Sequence, residues 1–366
     1  MQTAGGNYTK GGCPMKFRYP LLLFLLTPLL IQAQNDFPGD TSFTVWSAWQ
    51  KIRNNFPRAR PVKPFRSDCI LSLPDQVYRV RKNRLLRMDL FLPNDDQTSK
   101  RPAVLLIHGG GWRSGNKSHL VPLAQKLAMD GYVTATAEHR LSAEACYPAA
   151  VYDLKEAIRF LKQNHAIYGI DTTRIAVLGC SSGATLASLV AATGKPERYT
   201  DPDSAFPGYS AKVQALINID GIVDFTDPNE SGKDQNPDRP SAGALWFGGT
   251  YREIPDTWVE ASPLSYVDGN TPPTLYVNSA LERFHAGRDT FLKVLIKHHT
   301  PYKIHTIPGT PHTFWLFYPW FGEAHNQVRD FLNQIFAPAP LPENVSHSSR
   351  SNRIYSPGAG SLHKIS

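Results

Sequence analysis

The sequence predicts a protein of the α/β class, in which helices cover both faces of a mostly parallel β-sheet. Two observations support this prediction. Apolar segments of strand length alternate with amphipathic segments of helix length along most of the chain, and short links join them. The chain has 366 residues, of which 41% are hydrophobic, and this is enough to bury one large core.

Composition excludes several other classes of protein. The 39 basic side chains exceed the 31 acidic ones only modestly, and this diffuse excess does not require nucleic acid or a membrane as a partner. Four cysteines are too few for a disulfide-built scaffold, and none lies in a C-x-x-C pair or near spaced histidines. We therefore expect no structural zinc site. Whether Cys69 and Cys146 form a disulfide is left open.

The segment 1–33 has the pattern of a signal peptide. Residues 21–31 read LLLFLLTPLLI, an apolar run that is too short to cross a bilayer, which needs about 20 residues. Lys16 and Arg18 provide a basic flank, and Ala33 is a small residue of the kind that precedes cleavage. The first residues of this segment can be an extension that precedes the true translation start. We expect a secreted or periplasmic protein with no stable membrane insertion after cleavage.

The rest of the chain divides into three parts. Residues 34–75 read as an irregular lead-in segment with one short helix, WSAWQKIRNNF. The main domain is predicted over residues 76–337 and opens with two paired strands, VYRVRKN and RLLRMDLFLP, joined by a turn at Lys82 and Asn83. Residues 338–366 begin PAPLP and continue with few apolar residues, so we expect a disordered tail.

The alternation of strands and helices continues in chain order. PAVLLIHGGGW is predicted to be a buried strand running into glycines, HLVPLAQKLAMDG a helix that Gly131 ends, and YVTATAEHR a strand. The helix AVYDLKEAIRFLKQNH and the strand RIAVLGC come next. They are followed by the strands VQALINID and PTLYVNS, the helix FLKVLIKHH, the strand YKIHTIP and the helix EAHNQVRDFLNQIF.

A G-x-S-x-G motif lies between the strand RIAVLGC and the helix that follows it. The motif is Gly179-Cys180-Ser181-Ser182-Gly183. In such an elbow the central serine occupies a strained turn, and the flanking glycines allow the strand and the helix to approach closely. Ser181 is therefore the candidate nucleophile, whereas Cys180 is expected to point back into the core.

The glycines of His108-Gly109-Gly110-Gly111-Trp112 end an earlier strand. Acyl transfer needs backbone N–H groups arranged around the oxyanion that develops during attack. We expect the amides of Gly110, Gly111 and Ser182 to form this oxyanion hole. The alternative, a phosphate-binding loop in GGWRSGNKS, has its glycine and lysine out of register by one residue.

A serine nucleophile needs a base, which in turn needs an acid to orient it. His312 lies in the loop after YKIHTIP, where this architecture places its base. For the acid, Glu282 just after PTLYVNS is preferred, Asp289 is the alternative, and Asp224 is a third candidate.

These residues resemble the α/β-hydrolase esterases, particularly bacterial carbohydrate esterases of the acetyl-xylan, pectin and feruloyl type. The resemblance rests on HGGGW, on HRLS followed by YPAAVYDLKEAIRFLK, on GIDTTRIAVLGCSSGATLA and on TPHTFWLF, and it spans residues 76–336. The sequence RFHAGRD followed by PHTFWLF is similar to a subgroup from polysaccharide-degrading bacteria, which implies deacetylation of plant cell-wall glycans. This sequence departs from the pattern by having Glu282 where most such esterases have an aspartate.

The resulting hypothesis is an exported serine esterase that forms an acyl-enzyme on an acylated polysaccharide or oligosaccharide, such as pectin or xylan. This reaction requires no metal ion and no organic cofactor. A serine peptidase or lipase on the same fold and a non-catalytic carbohydrate-binding or adhesion protein are the alternatives.

Residues 51–101 hold 13 Lys or Arg against 5 Asp, which suits either an acidic polymer or a solvated face. Residues 224–263 are expected to shape the pocket. Four aromatic side chains after the proposed base could stack on sugar rings or belong to the core; they are Trp315, Phe317, Trp320 and Phe321.

Overall fold

The structure, a computed structural model, describes residues 40, 42–82, 84–95, 99–232 and 240–337. The signal-peptide prediction for residues 1–33 and the tail prediction for residues 338–366 lie outside the described residues.

An eight-stranded sheet forms the centre of the domain, and a separate pair of short strands joins the lead-in segment to the chain before the last helix. The strands are β1 (Arg60–Pro61), β2 (Ile70–Arg81), β3 (Arg84–Pro93), β4 (Arg101–Ile107), β5 (Val133–Ala137), β6 (Ile170–Cys180), β7 (Ala215–Ile219), β8 (Thr274–Ser279), β9 (Tyr302–Ile307) and β10 (Phe317–Tyr318). The order in the large sheet is β2-β3-β5-β4-β6-β7-β8-β9, and β1 pairs with β10. Strand β3 is antiparallel to both of its neighbours, β2 and β5, and the other pairs in this sheet are parallel.

Helices occupy most of the links between strands. The α-helices are α1 (Val45–Ile52), α2 (Val121–Met129), α3 (Ala149–Gln163), α4 (His165–Tyr168), α5 (Ser182–Ala192), α6 (Pro228–Ser231), α7 (Ala242–Phe247), α8 (Pro255–Ala261), α9 (Arg288–Lys297) and α10 (Trp320–Phe336). The predicted strands and helices from the first hairpin onward are present, and the differences lie at their ends. Helix α10, for example, begins at Trp320, three residues before the predicted Glu323.

The sheet divides the apolar core into two layers. Successive side chains of a strand point to opposite faces, so Val104 and Leu106 of β4 face one layer, whereas Leu105 and Ile107 face the other. The first, which we call the α10 layer, contains buried side chains of α1, α2 and α10. The second, the α5 layer, contains those of α3, α5 and α9. The prediction of a mostly parallel sheet with helices on both faces is confirmed.

The lead-in segment packs into the α10 layer. Ala48, Ala59 and Val62 are all buried there. Helix α1 has a capping box, because the Thr44 hydroxyl accepts from the Ser47 amide at 2.9 Å while the Ser47 hydroxyl accepts from the Thr44 amide at 2.9 Å. Burial of one face and a satisfied N-terminus together explain why a helix of only two turns forms here.

Strand β2 begins at Ile70, so the predicted start of the main domain at residue 76 falls inside this strand. Cys69, Cys146 and Cys180 are free thiols in the structure, so the disulfide that the sequence left open is not formed between Cys69 and Cys146. Within the described ranges, no helix combines the length and apolar character needed to cross a bilayer.

Two glycines allow the closest backbone approaches around the turn between β6 and α5. A Cβ atom on Gly179 would lie 2.0 Å from the carbonyl oxygen of Gly183, and one on Gly183 would lie 2.3 Å from that of Ile107. No side chain fits at either distance. Glycine at both positions is therefore a condition for bringing β4, β6 and α5 together.

We expect Gly183→Ala to reduce the free energy of unfolding by about 2 kcal/mol or more, because the added methyl group meets rigid backbone. Chemical denaturation of the purified variant measures this change. Gly322→Ala is the matched control, since nothing lies within 4 Å of its added Cβ in α10, and alanine should stabilise this helix by up to about 1 kcal/mol. Equal stability of the Gly183→Ala variant and the wild type would contradict the close approach.

Candidate active site

Ser181 lies at the turn between β6 and α5. Its φ of 55° and ψ of −126° lie outside the usual regions for a residue with a side chain. The turn is held by the Ser181 amide, which donates to the carbonyl oxygen of Ile219 at 2.9 Å. Cys180 points the other way and is fully buried in the α10 layer, as expected, and burial raises the pKa of its thiol well above the usual value. The Ser181 hydroxyl is thus presented above the sheet and the Cys180 thiol is withdrawn from it.

His312 lies in the loop after β9 and contacts Ser181. Its Nε2 is 2.7 Å from Ser181 Oγ, although 131 residues separate the two in sequence. The ring of Phe284 stacks flat on the imidazole, with centroids 3.4 Å apart, and Trp315 meets the imidazole edge-on at 5.3 Å. The imidazole is therefore fixed from two sides with Nε2 directed at the hydroxyl.

The carboxylate next to His312 is that of Asp220, directly after β7. Asp220 Oδ2 is 2.7 Å from His312 Nδ1, and the same carboxylate accepts from the amide of Ser279 at 2.9 Å and from its hydroxyl at 2.7 Å. Asp220 is fully buried. Three hydrogen bonds satisfy this buried anion and fix its orientation.

Neither carboxylate that the sequence favoured occupies this place. Glu282 is exposed on the turn after β8, and Asp289 is 75% exposed with its oxygen 2.9 Å from Arg288 Nε. Asp224 accepts hydrogen bonds from Thr226 within its own turn. The expectation that Glu282 or Asp289 orients the histidine is therefore corrected to Asp220.

A signal for Asp220 was present in the sequence. It is the last residue of the predicted strand VQALINID and is followed by Gly221, so it lies at the carboxyl end of a parallel strand. The two preferred candidates, Glu282 and Asp289, both follow the next strand along the chain, PTLYVNS. In the sheet, β7 and β8 are neighbours, and their ends are equally able to supply the acid.

The residues predicted for the oxyanion hole surround the Ser181 hydroxyl only in part. Gly111 and Ser182 line the same pocket as Ser181. The carbonyl of Gly110 accepts from the amide of Ser114 at 3.1 Å and from its hydroxyl at 2.9 Å. These two hydrogen bonds fix the conformation of the loop. That the amides of Gly110, Gly111 and Ser182 form the oxyanion hole stays a prediction.

The pocket above Ser181 has a volume of about 280 Å³. Residues of the segment 224–263 contribute to it, as expected from the sequence. The lining combines apolar with polar and charged side chains; it includes Trp112, Asp220, Ile222, Glu230, Ser241, Ala242, Arg283 and Phe284. Within the described part of the chain, no group of three or more His, Cys, Asp or Glu side chains is arranged to hold a metal ion.

The aromatic residues after His312 belong mainly to the core. Trp315, Phe317 and Phe321 are 0–4% exposed in the α10 layer, and Trp320 packs against that layer. The interpretation as core residues is thus correct for this group, and sugar stacking is not available to the three buried rings.

Three histidines pack behind the HGGGW loop. His108 and His139 stack with ring centroids 4.6 Å apart, and His119 meets His108 edge-on. Burial lowers the pKa of His108 to about 3, and the neighbouring His139 contributes to the shift. Burial likewise lowers the pKa of His119 and of His139 to about 4. All three imidazoles are therefore neutral at neutral pH.

Comparison with known proteins places this arrangement in a family. The BD-FAE family model matches residues 88–283, more than half of the chain. This chain belongs to the BD-FAE family. The matched residues include Ser181 and Asp220, and His312 lies beyond them.

The BD-FAE chain is also similar to individual esterases. It is 27% identical to the probable carboxylic ester hydrolase LipM of Mycobacterium tuberculosis over 67% of this chain and 57% of LipM. A bifunctional GH43-CE structure from Bacteroides eggerthii matches with a TM-score of 0.62 and 26% identity, over 74% of this chain and 39% of that one. A truncated carbohydrate esterase from gut microbiota matches with a TM-score of 0.62 and 21% identity, over 74% of this chain and 100% of that one.

The chain spans about half the length of the curated relatives it matches. The comparisons confirm the α/β-hydrolase fold and the resemblance to serine esterases, including carbohydrate esterases, that the motifs indicated.

We expect the free energy of unfolding to fall as the pH decreases from about 6.5 to about 4. The unfolded chain protonates its histidines near the ordinary pKa of 6.5, whereas the folded-state pKa of His119 and His139 is about 4. In this pH window the unfolded state binds more protons than the folded state. The stabilisation from the neutral histidines is therefore fully present above about pH 6.5 and is lost as the pH falls towards about 4. Each buried histidine contributes about 3 kcal/mol to the loss.

Chemical denaturation at several pH values in this window measures the decrease. His119→Gln should show a shallower decrease, because it removes one of the titrating groups. His298→Gln, at an exposed position in the turn after α9, is the control and should keep the wild-type dependence. Identical pH dependence in all three proteins would show that burial of His119 does not govern acid stability.

Proposed function

We propose that this protein is an exported serine esterase that hydrolyses acyl esters of carbohydrates through an acyl-enzyme. The observation that carries the proposal is the continuous hydrogen-bonded chain from Ser181 through His312 to Asp220. A binding or adhesion protein has no need of a serine hydroxyl held 2.7 Å from a fixed imidazole.

The geometry supports a two-step reaction. Ser181 Oγ attacks the ester carbonyl while its proton passes to His312 Nε2, and Asp220 stabilises the resulting imidazolium through Nδ1–H. The amides of Gly110, Gly111 and Ser182 stabilise the oxyanion. The imidazolium then donates its proton to the departing alkoxide, which leaves the acyl group on Oγ. Water, deprotonated by Nε2, hydrolyses this acyl-enzyme and restores the hydroxyl.

Three observations support the choice of substrate. The pocket of about 280 Å³ is at the lower end of ligand pockets, which suits a short acyl group such as acetyl. Two similar structures are a bifunctional GH43-CE protein and a carbohydrate esterase. The signal-like segment 1–33 favours an exported enzyme that meets polymers outside the cytoplasm, of which acetylated xylan and pectin are the proposed examples.

Ser181→Ala should lower kcat for p-nitrophenyl acetate by about 10⁶-fold, because the acyl-enzyme cannot form. Cys180→Ala is the matched control at the adjacent, fully buried position and should retain activity within about threefold. Initial rates with purified proteins of equal folded content measure both. Full activity of the Ser181→Ala variant would disprove the mechanism.

Asp220→Asn should lower kcat by about 10⁴-fold, since an amide holds the imidazole in the wrong tautomer. Glu282→Gln and Asp289→Asn, at the two exposed carboxylates, should stay within about twofold of the wild type, because neither contacts His312. The same assay separates the three variants. A large loss in the Glu282→Gln variant with an active Asp220→Asn variant would reverse our assignment of the acid.

Release of acetate from acetylated xylan and acetylated pectin tests the substrate class, beside a long-chain p-nitrophenyl ester and a peptide amide. We expect acetate release that the Ser181→Ala variant loses. Turnover of the long-chain ester alone would indicate a lipase instead of a carbohydrate esterase. Turnover of the peptide amide alone would indicate a peptidase.

A further inference from the structure

We propose that the ion pair of Arg283 and Glu230 forms the subsite for the alcohol part of the ester and binds the hydroxyl groups of an uncharged sugar in preference to a uronic acid. This inference rests on the proposed function and assigns a specificity-determining role to two side chains of the same pocket.

The two side chains form a bidentate pair at the mouth of the pocket. Arg283 Nε lies 2.8 Å from Glu230 Oε1, and Nη2 lies 3.4 Å from Oε2. The Glu230 side chain is 11% exposed, whereas that of Arg283 is 53% exposed. The glutamate thus holds the guanidinium in place, while Nη1 lies outside the bidentate contact on a side chain that solvent and substrate can reach.

The position of the pair relative to His312 indicates which part of the ester it meets. During acylation the leaving oxygen must come within hydrogen-bond reach of His312 Nε2 to receive its proton. Phe284 stacks on the His312 imidazole, and the guanidinium of Arg283 lies 5.1 Å from the centroid of the Phe284 ring. Arg283 and Glu230 therefore flank the side of the pocket where the alcohol departs.

The lining residues at the HGGGW loop have a different chemistry. Gly111 and Trp112 belong to the HGGGW loop, and Ala242 lies close to Gly111. These groups are backbone amides and apolar surface, which suit a carbonyl oxygen and a short acyl chain. Apart from Asp220, which bonds to His312, Glu230 and Arg283 are thus the charged side chains among the described lining residues.

The pairing of the charges favours neutral hydroxyl groups. The free N–H groups of Arg283 donate to hydroxyl oxygens, and the carboxylate oxygens of Glu230 accept from hydroxyl hydrogens, so adjacent hydroxyls of a sugar can satisfy both. A substrate carboxylate would gain from Arg283 but would be repelled by Glu230 at similar distance. Among the described residues that line the pocket, Arg283 is the one cation.

The first experiment compares kcat/KM for an acetylated xylo-oligosaccharide with that for p-nitrophenyl acetate, whose alcohol has no sugar hydroxyls. Arg283→Gln should lower kcat/KM for the oligosaccharide by about tenfold or more, chiefly through KM, and this loss should clearly exceed the loss for p-nitrophenyl acetate. Arg329→Gln is the matched control, because Arg329 forms a comparable surface pair with Asp330 on helix α10. It should leave both values at the wild-type level.

The second experiment removes the negative charge of the pair instead of the positive one. Glu230→Gln keeps the size of the side chain and leaves the charge of Arg283 uncompensated. It should raise kcat/KM for an acetylated oligogalacturonide relative to the xylo-oligosaccharide by about tenfold at low salt, and about 0.5 M sodium chloride should remove most of this gain. The Arg283→Gln variant should not show the gain.

The outcomes separate the two proposals. If the wild type hydrolyses p-nitrophenyl acetate but releases acetate from neither oligosaccharide, the proposed substrate class fails, and the subsite fails with it. Two outcomes overturn only the subsite, provided that the wild type acts on the oligosaccharides. In the first, Arg283→Gln reduces kcat/KM equally for the xylo-oligosaccharide and for p-nitrophenyl acetate. In the second, Glu230→Gln leaves the preference between the two oligosaccharides unchanged.

Discussion

The left-handed backbone at Ser181 is the constraint on which the rest of the site depends. A residue with a side chain adopts a φ of 55° only where the surroundings impose it, and here the surroundings are the close contacts of Gly179 and Gly183 with neighbouring backbone. The large buried sheet supplies the free energy that maintains this strained turn. Because the turn is fixed, the hydroxyl has one position above the sheet, and a histidine from a distant loop can be matched to it.

The acid illustrates how a parallel sheet distributes its functional groups. Strands β7 and β8 are adjacent and parallel, so their carboxyl ends lie side by side within reach of the same imidazole. Here the end of β7 provides Asp220, and the end of β8 provides Ser279, whose amide and hydroxyl bind that carboxylate. The two strand ends therefore act together, one as the acid and the other as its support.

The sequence could predict what depends on neighbouring residues along the chain. Apolar periodicity identified the strands and helices, and G-x-S-x-G with HGGGW identified the turn and the loop at the pocket, since each of these features is local. The choice between Asp220 and Glu282 was not accessible in this way, because it depends on which strand end faces the imidazole across the sheet. The same holds for Phe284, whose contact with His312 joins loops that follow different strands.

Electrostatics also distinguish the site from the chain as a whole. The chain carries a formal charge of +8, yet the histidines closest to the HGGGW loop are held neutral by burial, and the cation at the pocket mouth is paired with Glu230. A permanent positive charge beside His312 would oppose its protonation during attack. With the surrounding charges neutral or paired, the buried Asp220 acts on the imidazolium without competition. The distribution of charge therefore favours proton transfer from Ser181 to His312, which is the step that the strained turn prepares.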